Sequence, residues 1–171
     1  VRRFIPGKRE ESLRAIPQAS AYFEIETDAL LKLKDELRAQ NKNVTVTSLF
    51  VRLMATVLQE YPLLNSSVQE DELITYDRCN VAVGVGRETG SMTVVIKEAK
   101  EKDIFAISDE LRQKTELIKK NELPLADMKG FTYTSSSIGG EGNRYSTVII
   151  NPPESGMLAI GVTEKRVVVL E

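Results

Sequence analysis

The sequence predicts an α+β domain, with helices packed against a mixed β-sheet. Three observations point to it. Helical apolar periodicity recurs in three separate stretches, and about seven β-rich runs lie between and after them. The 171 residues are 42% hydrophobic and 28% charged, the length and make-up of one globular domain with a real core.

Residues 1–15 are basic and irregular, which reads as an N-terminal arm or loop ahead of a domain over 16–171. Ala21-Tyr22-Phe23-Glu24-Ile25-Glu26 sets Phe23 and Ile25 between charged residues, the period-two pattern of a half-buried strand. From Asp28, the leucines 30, 33 and 37 recur at helical spacing in a surface helix ending near Asn41. The helix over about 47–61 carries a wider stripe (Leu49, Phe50, Leu53, Met54, Val57, Leu58, Tyr61) and is the predicted central core helix, closed by Pro62. Asn65-Ser66-Ser67 reads as a polar loop. Strands are predicted at 73–76, 81–85 and, beyond a Thr89-Gly90 turn, 92–96. Asp103 can cap a third helix whose Ile104, Ile107, Leu111 and Ile118 share one face, with Pro124 closing it. Further strands are predicted at 131–134, 147–150 and 157–160, with the rigid turn Asn151-Pro152-Pro153-Glu154 between the last two. Arg166 to Glu171 forms a strand-like run with no turn or cap behind it, as if cut.

A formal charge of −2, from 23 basic and 25 acidic residues, gives no global field for nucleic acid or a membrane surface. No apolar stretch is long enough to span a bilayer and no signal core opens the chain, so a cytoplasmic protein is expected. The single Cys79 excludes an internal disulfide. The absence of histidine removes the usual partner of a catalytic thiol or a zinc ion, so no metal is expected. It also means that any mechanism resting on a histidine base must borrow that base from outside these residues.

Gly84-Val85-Gly86-Arg87-Glu88-Thr89-Gly90 has glycines in a near-dinucleotide pattern, but a strand rather than a helix N-terminus follows. Glycines at a strand end and hairpin are the better account. Thr134-Ser135-Ser136-Ser137-Ile138-Gly139-Gly140 concentrates hydroxyls at a strand end, where they are either a polar turn or donors to an oxyanion or phosphate. With no base in the chain to activate them, they are donors rather than attackers. The mixed charges of Glu98 to Asp103 read as a solvated face, and Cys79 as a packing residue.

Several stretches recur together in a known order. Ile16-Pro17, Phe23-Glu24-Ile25-Glu26-Thr27-Asp28 and Val44-Thr45-Val46-Thr47 come first. Tyr61-Pro62-Leu63-Leu64-Asn65-Ser66-Ser67, Asn80-Val81-Ala82-Val83-Gly84-Val85 and Phe131-Thr132-Tyr133-Thr134 follow, then Ser137-Ile138-Gly139-Gly140. The most specific stretch is Ile149-Ile150-Asn151-Pro152-Pro153-Glu154 leading to Ala159-Ile160-Gly161-Val162. From Ile16 onward the chain resembles the catalytic domain of the dihydrolipoamide acyltransferases of 2-oxo acid dehydrogenase complexes.

The resemblance implies a two-layer sandwich like chloramphenicol acetyltransferase, homotrimers that build a larger core, and an active site between two subunits. It implies acyl transfer from dihydrolipoamide to coenzyme A, both as substrates, beside the dehydrogenase and dihydrolipoamide dehydrogenase components. In that family a histidine of a C-terminal His-x-x-x-Asp-Gly motif deprotonates the coenzyme A thiol, and a hydroxyl of the facing subunit stabilises the oxyanion. Thr134 stands at that hydroxyl's position, with Ser135 and Ser136 as the implied substrate-binding residues and Ser135 assigned to coenzyme A. The sequence departs from the family at Gln18, often histidine, at Gln69, often acidic, at Thr93-Val94-Val95, usually Val-Pro-Val, and in the absent histidine motif, expected just past Glu171. Two readings follow: an acyltransferase whose last segment lies beyond these residues, or a non-catalytic scaffold subunit. An enzyme of the same fold with another acceptor is a third.

Overall fold

A computed structural model describes residues 4–40, 42–87, 90–167 and 169. Among them are four α-helices and six strands. Helix α1 (Phe4–Ala15) replaces the irregular arm expected there. Pro6 falls in its first turn, where a missing N–H costs nothing. The helix has no apolar stripe for periodicity to detect: Leu13 is exposed, while the buried Ser12 donates its hydroxyl to the Ile150 carbonyl at 2.5 Å. Gln18 completes the tether, donating from Nε2 to Ser12 Oγ and accepting from the Ile150 amide.

Helix α2 (Asp28–Ala39) lies on the surface and buries no residue; the expected end at Asn41 lies outside the described residues. Helix α3 (Val46–Glu60) opens on a capping box in which Thr45 and Ser48 each satisfy the other's amide, and it yields to a short turn at Pro62. Leu49, Met54 and Leu58 are buried as predicted, together with Val51 and Ala55, but Leu53 and Tyr61 are exposed, so the stripe is narrower than the sequence suggests.

Strands β1 (Ser66–Gln69) and β2 (Glu72–Thr75) form a separate hairpin. Its Ser66 and Ser67 were expected in a polar loop. The serines can sit in a strand because Ser67 shares a 2.8 Å hydrogen bond with the Tyr76 hydroxyl, while Asn65 donates to the carbonyls of Tyr76 and Arg78.

The main sheet is mixed, as predicted. Strands β3 (Val81–Arg87), β4 (Gly90–Ile96), β5 (Tyr133–Ser137) and β6 (Met157–Ile160) run in the order β4-β3-β5-β6; β4 is antiparallel to β3, and β5 and β6 are parallel. Thr89 of the expected turn lies outside the described residues. Val81, Val83, Val94, Ile96 and Tyr133 pack with Val51, Met54, Ala55 and Leu58 of α3 and with Ile107, Leu111 and Ile118 of α4 (Ile104–Lys120) in one core. Asp103 caps α4, accepting from the Ala106 amide at 2.8 Å. Buried Lys114 of α4 is neutralised by Glu110 and Asp127 and donates to the Val95 carbonyl, which ties helix to sheet.

Two predicted strands have no ladder partners among the described residues: 21–26 and 147–150. Side chains join them instead. Tyr22 bonds Thr147 and meets Tyr145 edge-on, while Glu24 takes the Tyr145 hydroxyl and the Arg166 guanidinium. Tyr22, Phe23 and Ile25 are all exposed, Phe23 at 81%, so the half-buried face expected of this segment is uncovered. In the predicted terminal run, Arg166 and Val167 form no strand, and 168, 170 and 171 lie outside the described residues. Near the end of β5, a Cβ on Gly139 would overlap the Gly161 backbone, and one on Gly161 would overlap the Arg144 carbonyl.

Candidate active site

Strand alternation divides the hydroxyl cluster. Ser135 lies on the same sheet face as Tyr133, between Val83 and Leu158, toward the helices. Thr134 and Ser136 project from the opposite face, where Thr134 is in register with Ala82 and Met157. Ser136 is half-buried beside Gly84, whose missing side chain leaves space at the Ser136 hydroxyl. Ser135 is buried, and its hydroxyl has no hydrogen-bond partner among the described residues.

Thr134 is buried and its hydroxyl is engaged. Its Oγ1 donates to Glu154 Oε2 at 2.7 Å and receives a long hydrogen bond, 3.4 Å, from Asn151 Nδ2. The other carboxyl oxygen, Glu154 Oε1, accepts from the Asn151 backbone amide at 3.0 Å and from Asn151 Nδ2 at 3.1 Å. The Asn-Pro-Pro-Glu turn, which contains a cis Pro152–Pro153 bond, thus folds its two polar ends onto the strand hydroxyl. Glu154 is only 3% exposed. Burial pushes its carboxyl up to about 7, against the opposing effect of the hydrogen bonds from Thr134 and Asn151. Glu154 and Asn151 stood out in the sequence as a rigid turn and as part of the most specific stretch of the resemblance, but not as site residues. The only available signal was an acid placed between two prolines and the apolar run of β6.

The remaining candidates go to structure. Cys79 is buried in the core, and desolvation with the nearby Glu98 charge pushes its thiol up to about 11. Lys100 and Lys102 of the charge run pair with Asp77 and Glu110. The glycine run lies in the β3–β4 hairpin, Glu88 and Thr89 being outside the described residues. No described group of three or more histidine, cysteine or acidic side chains converges as a metal cradle. Concavities lie against Glu10 and Arg14 and between Lys42 and Phe105; neither is lined by Thr134.

A mixed sheet backed by two core helices, with a buried hydroxyl on the opposite face of its third strand, is an α+β domain of the chloramphenicol acetyltransferase type. The family model for the catalytic domain of 2-oxoacid dehydrogenases acyltransferase matches residues 1–171, and the chain belongs to that family. The acetyltransferase component of the pyruvate dehydrogenase complex of Zymomonas mobilis is 29% identical over 97% of the chain. The chain spans 39% of that relative's length. A crystal structure of a probable dihydrolipoamide acetyltransferase from Listeria monocytogenes superposes with a TM-score of 0.94 at 27% identity, over 99% of this chain and 75% of that one. A truncated catalytic core of the 2-oxoacid dehydrogenase multienzyme complex from Thermoplasma acidophilum gives 0.91 at 28%, over 97% and 78%.

Proposed function

We propose that this chain is the acyl-transferring domain of a 2-oxo acid dehydrogenase complex, moving an acyl group from dihydrolipoamide to coenzyme A. The observation that carries the reading is Thr134: a buried hydroxyl at the family's oxyanion position, held by the Asn151–Glu154 turn. In the reaction the coenzyme A thiolate attacks the acyl thioester carbonyl, a carbon–sulfur bond forms, and charge collects on the carbonyl oxygen. Collapse re-forms the carbonyl double bond and breaks the bond to the dihydrolipoamide sulfur, which leaves with the negative charge and takes up the proton removed from the coenzyme A thiol. The Thr134 hydroxyl donates to the oxyanion, Ser136 contacts substrate from the same face, and the unpaired Ser135 hydroxyl is left for coenzyme A. The thiol base comes from outside these 171 residues, which contain no histidine.

The proposal extends to a cytoplasmic homotrimer that builds a larger core with the dehydrogenase and dihydrolipoamide dehydrogenase components. Exposed Phe23, Ile25, Leu63 and Leu73 support further assembly, since such apolar surface is what association covers. No described helix is long and apolar enough to cross a membrane. The missing histidine favours one second reading, a scaffold subunit that keeps the assembly without the chemistry.

The test is acyl transfer from acyl-dihydrolipoamide to coenzyme A by the full-length polypeptide and its Thr134→Val variant. Activity that falls by roughly 10² to 10³ in kcat supports the enzyme and its donor. An inactive, fully assembled protein leaves the scaffold.

A further inference from the structure

A hydroxyl can stabilise an oxyanion only if its hydrogen is free to point there, and at Thr134 that hydrogen is contested. Oγ1 has one hydrogen and two lone pairs. When Glu154 is ionised, neither of its oxygens carries a hydrogen, so the 2.7 Å contact must be made with the Thr134 hydrogen. The donor is then spent on the carboxylate. When Glu154 is protonated the direction reverses. Oε1 already accepts two N–H bonds from Asn151, so the acid proton belongs on Oε2, facing Oγ1. Thr134 then accepts from Glu154 on one lone pair and from Asn151 Nδ2 on the other, and its own hydrogen turns outward.

We propose that Glu154 is a positioning residue for Thr134: in its protonated form, with Asn151 holding the second carboxyl oxygen, it fills the acceptor sites of the Thr134 hydroxyl and releases that hydrogen to the substrate oxyanion. This rests on Thr134 acting as the oxyanion donor.

The surroundings favour the protonated form. Glu154 is buried, its hydrogen-bond partners Thr134 and Asn151 are uncharged, and the next residue, Ser155, donates to the Leu63 and Leu64 carbonyls of the apolar turn Pro62–Leu64. Among the described residues, Tyr133 of β5 feels the Glu154 charge; its hydroxyl is pushed up first by burial and then by that charge, so it adds no cation. The carboxyl is accordingly raised to about 7.

The test compares kcat against pH for the full-length wild type, Glu154→Gln and Thr134→Val. Glutamine places a permanent donor toward Oγ1 and a permanent acceptor toward Asn151. The ratio of wild-type to Glu154→Gln rate is expected to be flat at low pH, then to fall about ten-fold per pH unit above the Glu154 midpoint. Parallel profiles from about pH 6 to 8, with Thr134→Val still slow, would overturn the positioning role while leaving the function intact. A Thr134→Val variant with full activity would remove the donor reading and this inference together. Should Glu154→Gln fail to assemble, a carboxyl-carbon NMR titration of wild type decides the matter. Glu154 taking up a proton in that window supports the role, and a carboxylate ionised throughout defeats it.

Discussion

At the residue scale, Thr134 and Ser135 are neighbours in sequence and strangers in space. One faces a buried carboxyl; the other is sealed between Val83 and Leu158 with its hydroxyl unmatched. A buried donor without a partner costs the folded state about 1 to 3 kcal/mol. Ser135→Ala is therefore expected to keep or raise the urea midpoint of unfolding, and, if the hydroxyl is completed by coenzyme A, to raise the KM for coenzyme A several-fold. Higher stability with an unchanged KM would remove Ser135 from the binding set. The hydroxyl cluster itself was legible from composition and family resemblance. Its split across two faces follows from strand register. The Glu154 partnership, 20 residues away, depends on how β5 and β6 pair and on how the Asn-Pro-Pro turn closes between them. No local pattern encodes that closure.

At the scale of elements, the helices with apolar stripes were readable and the one without was not. Helix α1 is fastened by polar contacts: Ser12 to the Ile150 carbonyl, and Gln18 to both Ser12 and the Ile150 amide. Ile150 directly precedes Asn151, so this tether ends one residue from the group that clamps Glu154. Ser12→Ala leaves the Ile150 carbonyl and the Gln18 amide each short of a partner. The expected loss is about 1 to 2 kcal/mol of unfolding free energy, measured by denaturant titration. No loss would mean that α1 docks by other means. Segment 21–26 has the alternation of a strand and 147–150 its β-rich composition, yet neither finds a ladder among the described residues, because such patterns favour a backbone conformation but supply no neighbouring strand. The reverse error at Ser66 and Ser67 arises because small polar residues read as a loop unless the tyrosine that pairs with them is known.

For the whole molecule, the α+β class and mixed sheet were readable because α3, α4 and the valine-rich strands follow their periods closely. The consequences of its buried carboxyl were not. Glu154 lies above the ordinary carboxylate value of 4.5, at about 7, so the folded state holds this proton more tightly than the unfolded chain does. Its contribution to stability is fully present below pH 4.5, declines as pH rises and is lost above about pH 7, on the order of 3 kcal/mol in all. Glu24 and Glu116, lowered chiefly by hydrogen bonds from Tyr145 and Lys119, act in the opposite sense at lower pH and are solvent-exposed. Unfolding free energy of wild type should therefore fall between about pH 5 and 7 relative to Glu154→Gln; a constant difference would contradict this. Gly139 and Gly161 bear on how this gene can vary. Each missing Cβ makes room for a different carbonyl, that of Gly161 in one case and that of Arg144 in the other, so a change at one is not compensated by a change at its mate. A randomised library would return glycine at both, and an insertion in the Ser/Gly loop survives only where it leaves that backbone crossing in place.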